Sequence, residues 1–305
     1  MATEPNREFM FKSAAPVIFA LLVAIATAIW WNPLTALFAL AMGNEQYTHI
    51  LLILPISTAL LFLYREPPAE PSVLNVAVGS ALLLIALTTR VATVWIEIPS
   101  DVQLSLNILA LVAWGMGAFL LCFGGRAFRR ALFPLGFLLW MVPLPHSLLD
   151  PIISLLQQGS TASAHWLFAA ASIPVEQSGT LLHIPDLTLE VAPECSSIRS
   201  SMMLLVTSMV CAQLLLRSFW RKASVFAVAL PLSVAKNGLR IFALGVLATK
   251  VDPGFLTGRL HRQGGIIFFL IALMGIFALL WLLRRSENKT AQLGANDPFP
   301  GKPTG

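Results

Sequence analysis

The sequence predicts an all-α integral membrane protein with about eight transmembrane helices, and three observations carry that prediction. First, 57% of the 305 residues are hydrophobic and only 11% are charged, with a mean hydropathy of +0.78. A soluble domain of this length needs far more charged surface. Second, apolar runs near the ~20 residues required to cross a bilayer core recur along most of the chain. Third, these runs lack the two-residue alternation of barrel strands, so helices must satisfy the backbone within lipid. Three cysteines supply no disulfide framework. The net charge of +5 is distributed as a topology signal rather than a patch, so no nucleic-acid binding is expected.

Taken in order, residues 1–13 form a short polar cytoplasmic tail with Arg7 and Lys12. The body of the protein, 14–285, begins with an apolar run at 14–31, ending in Trp30-Trp31, a suitable interfacial anchor. After a loop containing Asn44, Glu45, Tyr47 and His49, spans are predicted at about 48–64, 73–94 and 103–123. Gly124, Gly125, Arg126, Arg129 and Arg130 precede a short fifth span at about 131–145. Residues 146–194 form an extracytoplasmic insertion. Pro143, Pro145 and Pro151 interrupt the helical pattern here, and 148–171 mixes polar and apolar residues like an interfacial helix. Short β-prone runs around Gly179 and Pro185 then predict a small hairpin. Further spans are predicted at about 196–216, 224–249 and 264–283. Residues 286–305 are polar and predicted to be a disordered cytoplasmic tail.

Eight spans with the N-terminus inside place Arg7, Lys12, Arg65, Arg126, Arg129, Arg130, Arg217, Arg221, Lys222, Arg284, Arg285, Lys289 and Lys302 on the inner side. The outer loops hold only Lys250, Arg259 and Arg262. This positive-inside bias predicts that both termini are cytoplasmic. It also puts the loop before Cys195 and the loop with His261 on the same outer side.

Three residues stand out as candidates for chemistry. Cys195, in Val191-Ala-Pro-Glu-Cys195-Ser-Ser-Ile-Arg-Ser-Ser201, sits where a membrane helix begins. Free backbone N–H groups and the helix dipole favour a thiolate there. Arg199 is four residues on, and Ser196 can cap the helix or donate to an oxyanion. The plain alternative is a small residue at a membrane boundary. Arg240 belongs to a polar stripe on the seventh span with Ser233, Lys236 and Asn237. A cation inside a membrane costs at least ~2.5–3.5 kcal/mol, so such residues usually face a cavity or a partner. The alternative is a purely structural cation. His261 precedes the last span and has the side chain most often used for proton transfer; taken alone, a loop histidine is more often simply solvated. His49, His146, His165 and His183 also fall near the outer side, but no pair has metal-ligand spacing, so neither a metal nor another cofactor is expected.

Cys195, the Asn237-x-x-Arg240 pair and His261, followed by Gly264-Gly265 and Phe268-Phe269, together resemble the exosortase/archaeosortase family of multi-pass membrane transpeptidases. Here Ala192-Pro-Glu-Cys195-Ser196-Ser197 corresponds to the family's cysteine stretch, with Ser197 where Gly is common. Tyr47-Thr48-His49 resembles a feature near the family's second helix. The resemblance covers about residues 14–285.

The resemblance implies a membrane cysteine protease, or thiol protease, acting in protein sorting. Its substrates would be secreted proteins with a C-terminal Pro-Glu-Pro-type (PEP-CTERM) signal. Cys195 would form a thioester acyl-enzyme, Arg240 would stabilise the oxyanion, and His261 would move the proton. The product would pass to an extracytoplasmic acceptor that the sequence does not identify. Such systems often accompany exopolysaccharide production in Gram-negative bacteria, so the expected location is the inner membrane with a periplasmic active site. Arg199, Arg259 or Arg262 is a candidate for contacting the signal, while Asn237, Ser196 and His49 are candidates for supporting the site. Two rival classes dispense with the cysteine. One is a transporter with the 233–240 stripe lining its path, and the other is an exopolysaccharide-pathway transferase. The first predicts internal repeats and the second a carboxylate pair or an intramembrane histidine; neither feature is evident.

Overall fold

The computed structural model describes residues 4–185, 187–191, 198–252, 254 and 265–295. They fall into two compact units, Met1–Leu149 and Asp150–Gly305.

The first unit contains α1 (Glu4–Ile29), α2 (Trp31–Gly43), α3 (Ile50–Leu63), α4 (Val73–Trp95), α5 (Ser100–Arg130) and α6 (Leu132–Phe137). Its centre is the α4–α5 pair. A Cβ on Gly117 would lie 2.8 Å from the Gly79 carbonyl oxygen, and one on Gly79 would lie 2.6 Å from Leu121 Cγ. Without a hydrophobic drive between helices in lipid, such small residues let two backbones approach and gain dispersion contacts. Where α1 ends, Trp30 packs on Trp114 of α5, with the rings 5.7 Å apart. The Trp114 indole donates to the Leu22 carbonyl at 3.1 Å. Gly124 interrupts α5 at φ 76°, a left-handed conformation that suits glycine, so residues after it turn onto a new axis.

Two predicted spans have a different form. The first apolar run does not end in a loop after Trp31: α2 follows α1 at a 75° bend. Pro33, which would break a helix interior, instead sits in the first turn of α2, where its missing N–H has no partner to lose. The predicted fifth span at 131–145 is not a continuous helix either. It consists of α6 and a 3-10 turn over Leu138–Met141, followed after Pro143 and Pro145 by a 92° bend into α7 (His146–Ala170). Among the described residues, six helices are long and apolar enough to cross a membrane, and the two bent pairs raise the number to eight if each is one span. The chain is thus a multi-pass, mostly helical membrane protein.

The second unit contains most of α7, a small sheet, α8 (Ile198–Leu215), α9 (Phe219–Lys250) and α10 (Gly265–Ala295). The stretch expected to be a hairpin forms three short antiparallel strands: β1 (Glu176–Ser178), β2 (Leu181–Ile184) and β3 (Leu187–Glu190). Glu176 pairs with His183, and Leu182 with Leu189. Gly179, at φ 64°, makes the first turn. Leu182, Ile184 and Leu189 bury against Ala164 and Phe168 of α7, and Phe242 of α9 packs on the same cluster. The sheet is therefore a cap over one end of α7 and α9.

Both termini of the chain carry more helix than composition suggested. Helix α1 starts at Glu4, inside the polar tail. Helix α10 runs to Ala295, past the Arg284-Arg285 pair where the predicted disordered tail began. The reason is local bonding. The Glu287 carboxylate accepts from the backbone N–H groups of Arg217 and Ser218 at 3.1 and 2.9 Å. It also pairs with Arg221 at 3.4 Å. Glu287 thus caps the start of α9 and gives the helix an anchor beyond its apolar part.

Candidate active site

The polar stripe of α9 faces inward. Ser233, Lys236 and Asn237 are buried and Arg240 is half-buried, with its Nε shielded from solvent. Lys236 is only 6% exposed, which for an ammonium demands a partner. Its Nζ donates to the Ser200 hydroxyl in the first turn of α8. Helices α8 and α9 form an antiparallel pair joined by the short connection at 216–218, so this bond sets their register. Ser200 is two residues from the start of α8. One turn further along α9 from Lys236, about 6 Å, lies Arg240, at the level where α8 has just begun.

A second register leads to the same level. A Cβ on Gly275 of α10 would lie 3.6 Å from Leu232 Cδ2, and Arg221 of α9 donates to the Leu283 carbonyl at 3.5 Å. Both contacts describe one antiparallel alignment. Stepping back along α10 from Gly275 to Gly265 and equally far forward along α9 from Leu232 brings the start of α10 level with about Phe242. The first turns of α8 and α10 therefore both meet α9 next to Arg240.

Helix α7 closes this arrangement from another side. A Cβ on Gly238 would lie 2.4 Å from Ser163 Oγ and 3.0 Å from the Ala164 backbone nitrogen, so α7 and α9 touch through their main chains. Helix α9 continues past Arg240 to Lys250, about 15 Å, and the sheet cluster packs on Ile241, Phe242 and Val246 along that length. Arg240 is recessed below the capped end of α9. Gln157 of α7 donates its amide to the Val191 carbonyl at 2.9 Å. The Val191 N–H donates to the Thr180 carbonyl at 3.0 Å. The chain is thus held at Val191 before the Cys195 stretch and at Ile198 after it.

Cys195, Ser196, His261 and Arg262, like Arg259, lie outside the described residues. Arg199 is exposed at the start of α8, and Asn237 is fully buried beside Gly238. His49 belongs to the first unit, where it is buried with Nδ1 3.2 Å from the Gln46 carbonyl oxygen. The neighbouring Tyr47 hydroxyl donates to the Leu144 carbonyl at 3.3 Å. The other two cysteines, Cys122 and Cys211, are unbridged residues of α5 and α8.

Two of the contacts that build this region have no signal in the sequence. Lys236 was visible in the stripe, but nothing linked it to Ser200. Gln157 is an ordinary glutamine on an amphipathic helix, and no sequence signal ties it to Val191.

Neither the curated proteins nor the solved structures contain a match to the chain. The family described as transmembrane exosortase matches residues 30–278, a range that takes in α7, the sheet, α8, α9 and the first part of α10. The chain belongs to the transmembrane exosortase family.

Proposed function

We propose that the protein is a membrane cysteine transpeptidase that cleaves a C-terminal sorting signal of the Pro-Glu-Pro type from secreted proteins. The observation that carries this reading is the convergence on Arg240. The helix that follows Cys195 and the helix that follows His261 both begin beside it. A cation so placed can donate to an oxyanion in a low-dielectric setting, where preorganised donors are worth most.

In this mechanism the Cys195 thiolate attacks the scissile carbonyl carbon. Arg240 holds the charge that develops on the oxygen. His261 gives a proton to the departing amine as the C–N bond breaks, leaving a thioester on Cys195. The amine-side fragment, with its membrane helix, leaves. An acceptor nucleophile then loses its proton to His261 and attacks the thioester, which restores the thiolate. The recessed level of Arg240 suits a substrate whose cleavage site adjoins its own membrane helix. Positive charge on the opposite loops supports a periplasmic site in an inner-membrane protein. Arg199 and Arg262 are the basic residues nearest in sequence to the two catalytic loops and are candidates for contacting the signal.

The test is co-expression with a tagged secreted protein carrying a Pro-Glu-Pro C-terminal signal, read on an immunoblot. Wild type should shift the substrate to a shorter form, and Cys195→Ala should not, at equal membrane levels. Arg240→Lys should also fail, because the ammonium lacks the planar two-donor geometry. Processing by the Cys195→Ala variant would instead favour the transferase or transporter reading.

A further inference from the structure

The first unit contains a cleft of about 820 Å3 that the proposed reaction does not use. It lies where α2 ends, α4 ends and α5 begins, next to the 143–146 turn. Arg90 lines it, less than two turns from the end of α4, inside a segment apolar enough to span a bilayer. A cation in such a segment is costly unless it is matched. Part of its role is structural: Nε donates to the Ile29 carbonyl at 3.2 Å and caps α1 at its bend. Among the described residues, its two terminal amino groups make no hydrogen bond.

The same cleft holds a carboxylate. Asp101, in the first turn of α5, accepts from the His146 backbone N–H at 2.8 Å through Oδ2. The backbone N–H groups of Val102 and of Asp101 itself and the His146 ring also act on this carboxylate, which forms no ion pair with Arg90 among the described residues. A cation and an anion that line one cleft without neutralising each other are complementary to a ligand bearing both charges. The guanidinium fork matches phosphate oxygens, and the carboxylate matches an ammonium.

The surroundings define the remainder of that ligand. Pro33, Ala36, Ala39 and Leu40 of α2 give the cleft an apolar wall. Other residues of α2 are exposed apolar surface, with Phe38 at 40% and Met42 at 79%. Trp31 and Trp95, at helix ends, are exposed as membrane-interface anchors usually are. The cleft therefore sits at headgroup level with an apolar helix beside it. We propose that the cleft binds an aminophospholipid, with its phosphate on Arg90, its ammonium on Asp101 and its chains along α2. This site is independent of Cys195 and of the proposed reaction.

The experiment is native mass spectrometry of the full chain, purified in detergent and titrated with three probes. These are a phosphatidylethanolamine, a phosphatidic acid with the same chains, and glycerophosphoethanolamine, which is the headgroup without chains. Wild type should retain the phosphatidylethanolamine about tenfold better than the phosphatidic acid, as expected for one charge-assisted contact. Asp101→Asn keeps an acceptor for the His146 N–H and should remove that preference. Arg90→Gln should weaken both lipids about tenfold, and Arg90→Lys should lie between it and wild type. If Arg90→Gln does not yield folded protein, Arg90→Lys and Asp101→Asn decide the matter. Equal retention of both lipids by wild type, or variants that bind like wild type, would overturn the proposal. Equally tight binding of glycerophosphoethanolamine would overturn the lipid assignment in favour of a soluble amino phosphate.

Discussion

Gly238 offers a sharp test of how the Arg240 level is built, because it lies inside the Asn237-x-x-Arg240 stretch and touches another helix. In Gly238→Ala the new Cβ would sit 2.4 Å from Ser163 Oγ, 2.5 Å from Ser163 Cβ and 3.0 Å from the Ala164 nitrogen. Ordinary carbon contacts are about 3.5–4.0 Å, so α7 and α9 must part by about 1 Å. Rotation of the serine hydroxyl relieves only the first contact, since the second and third involve Cβ and backbone. Overpacking of this kind costs about 1–3 kcal/mol. The displaced segment carries Lys236, Asn237 and Arg240, and a misplacement of about 1 Å in a catalytic group can reduce a rate about 10²-fold. Ser163→Gly removes the two closest atoms, so the double variant should regain most of the loss, leaving the Ala164 contact. The assay is thermal unfolding of the purified chain in detergent for wild type, both single variants and the double variant, with substrate processing measured in parallel. A Gly238→Ala protein with wild-type stability, or a double variant no better than the single one, would refute the close α7–α9 approach.

Three further outcomes follow from the same geometry. Lys236→Met removes the donor to Ser200 while filling similar volume; processing should fall at least about tenfold with the protein still in the membrane, and undiminished processing would detach this bond from the site. Ser200→Ala should lower processing in the same direction, and Lys236→Met combined with Ser200→Ala should cost little more than either alone in a double-variant cycle. Glu287→Ala removes the cap on α9 and should destabilise the purified chain by about 1 kcal/mol, with Glu287→Gln intermediate because its amide oxygen still accepts; a thermal melt in detergent checks both, and unchanged melting would reduce the clamp to a surface contact.

The fold class was legible because lipid imposes a one-dimensional rule: long apolar runs become helices, whatever they pack against. The same rule is blind to direction. Trp30 to Pro33 holds a single polar residue, Asn32, and Val142 to Pro145 none, so hydropathy alone could not turn the chain there; the 75° and 92° bends depend on where each proline falls within a helix. The proposed site is legible only as residue types, since a cysteine at a predicted helix start and a cation in a span are both unusual. Depth is not. The span predicted at 224–249 leaves Arg240 about 13 Å below its outer end, whereas Cys195 and His261 fall before the starts of their predicted spans. The registers explain this: α8 and α10 begin beside Arg240 while α9 continues into the cap formed by the sheet. Register depends on contacts such as Lys236 with Ser200 and Gly275 with Leu232, which no single-chain pattern encodes. Arg90 was overlooked although it meets the same criterion that singled out Arg240, because no motif surrounded it.

The central claim is that Cys195 carries the substrate as a thioester beside Arg240. The most direct measurement is to co-express the tagged substrate with the wild-type protein, quench the membranes rapidly in acid, and map covalent adducts by mass spectrometry with and without hydroxylamine. A hydroxylamine-labile adduct is expected on the peptide containing Cys195, with both adduct and processing lost in Cys195→Ala and the adduct diminished in His261→Ala, which lacks the acid for the leaving amine. Processing that persists in Cys195→Ala, or an adduct that maps to another residue, would contradict this claim.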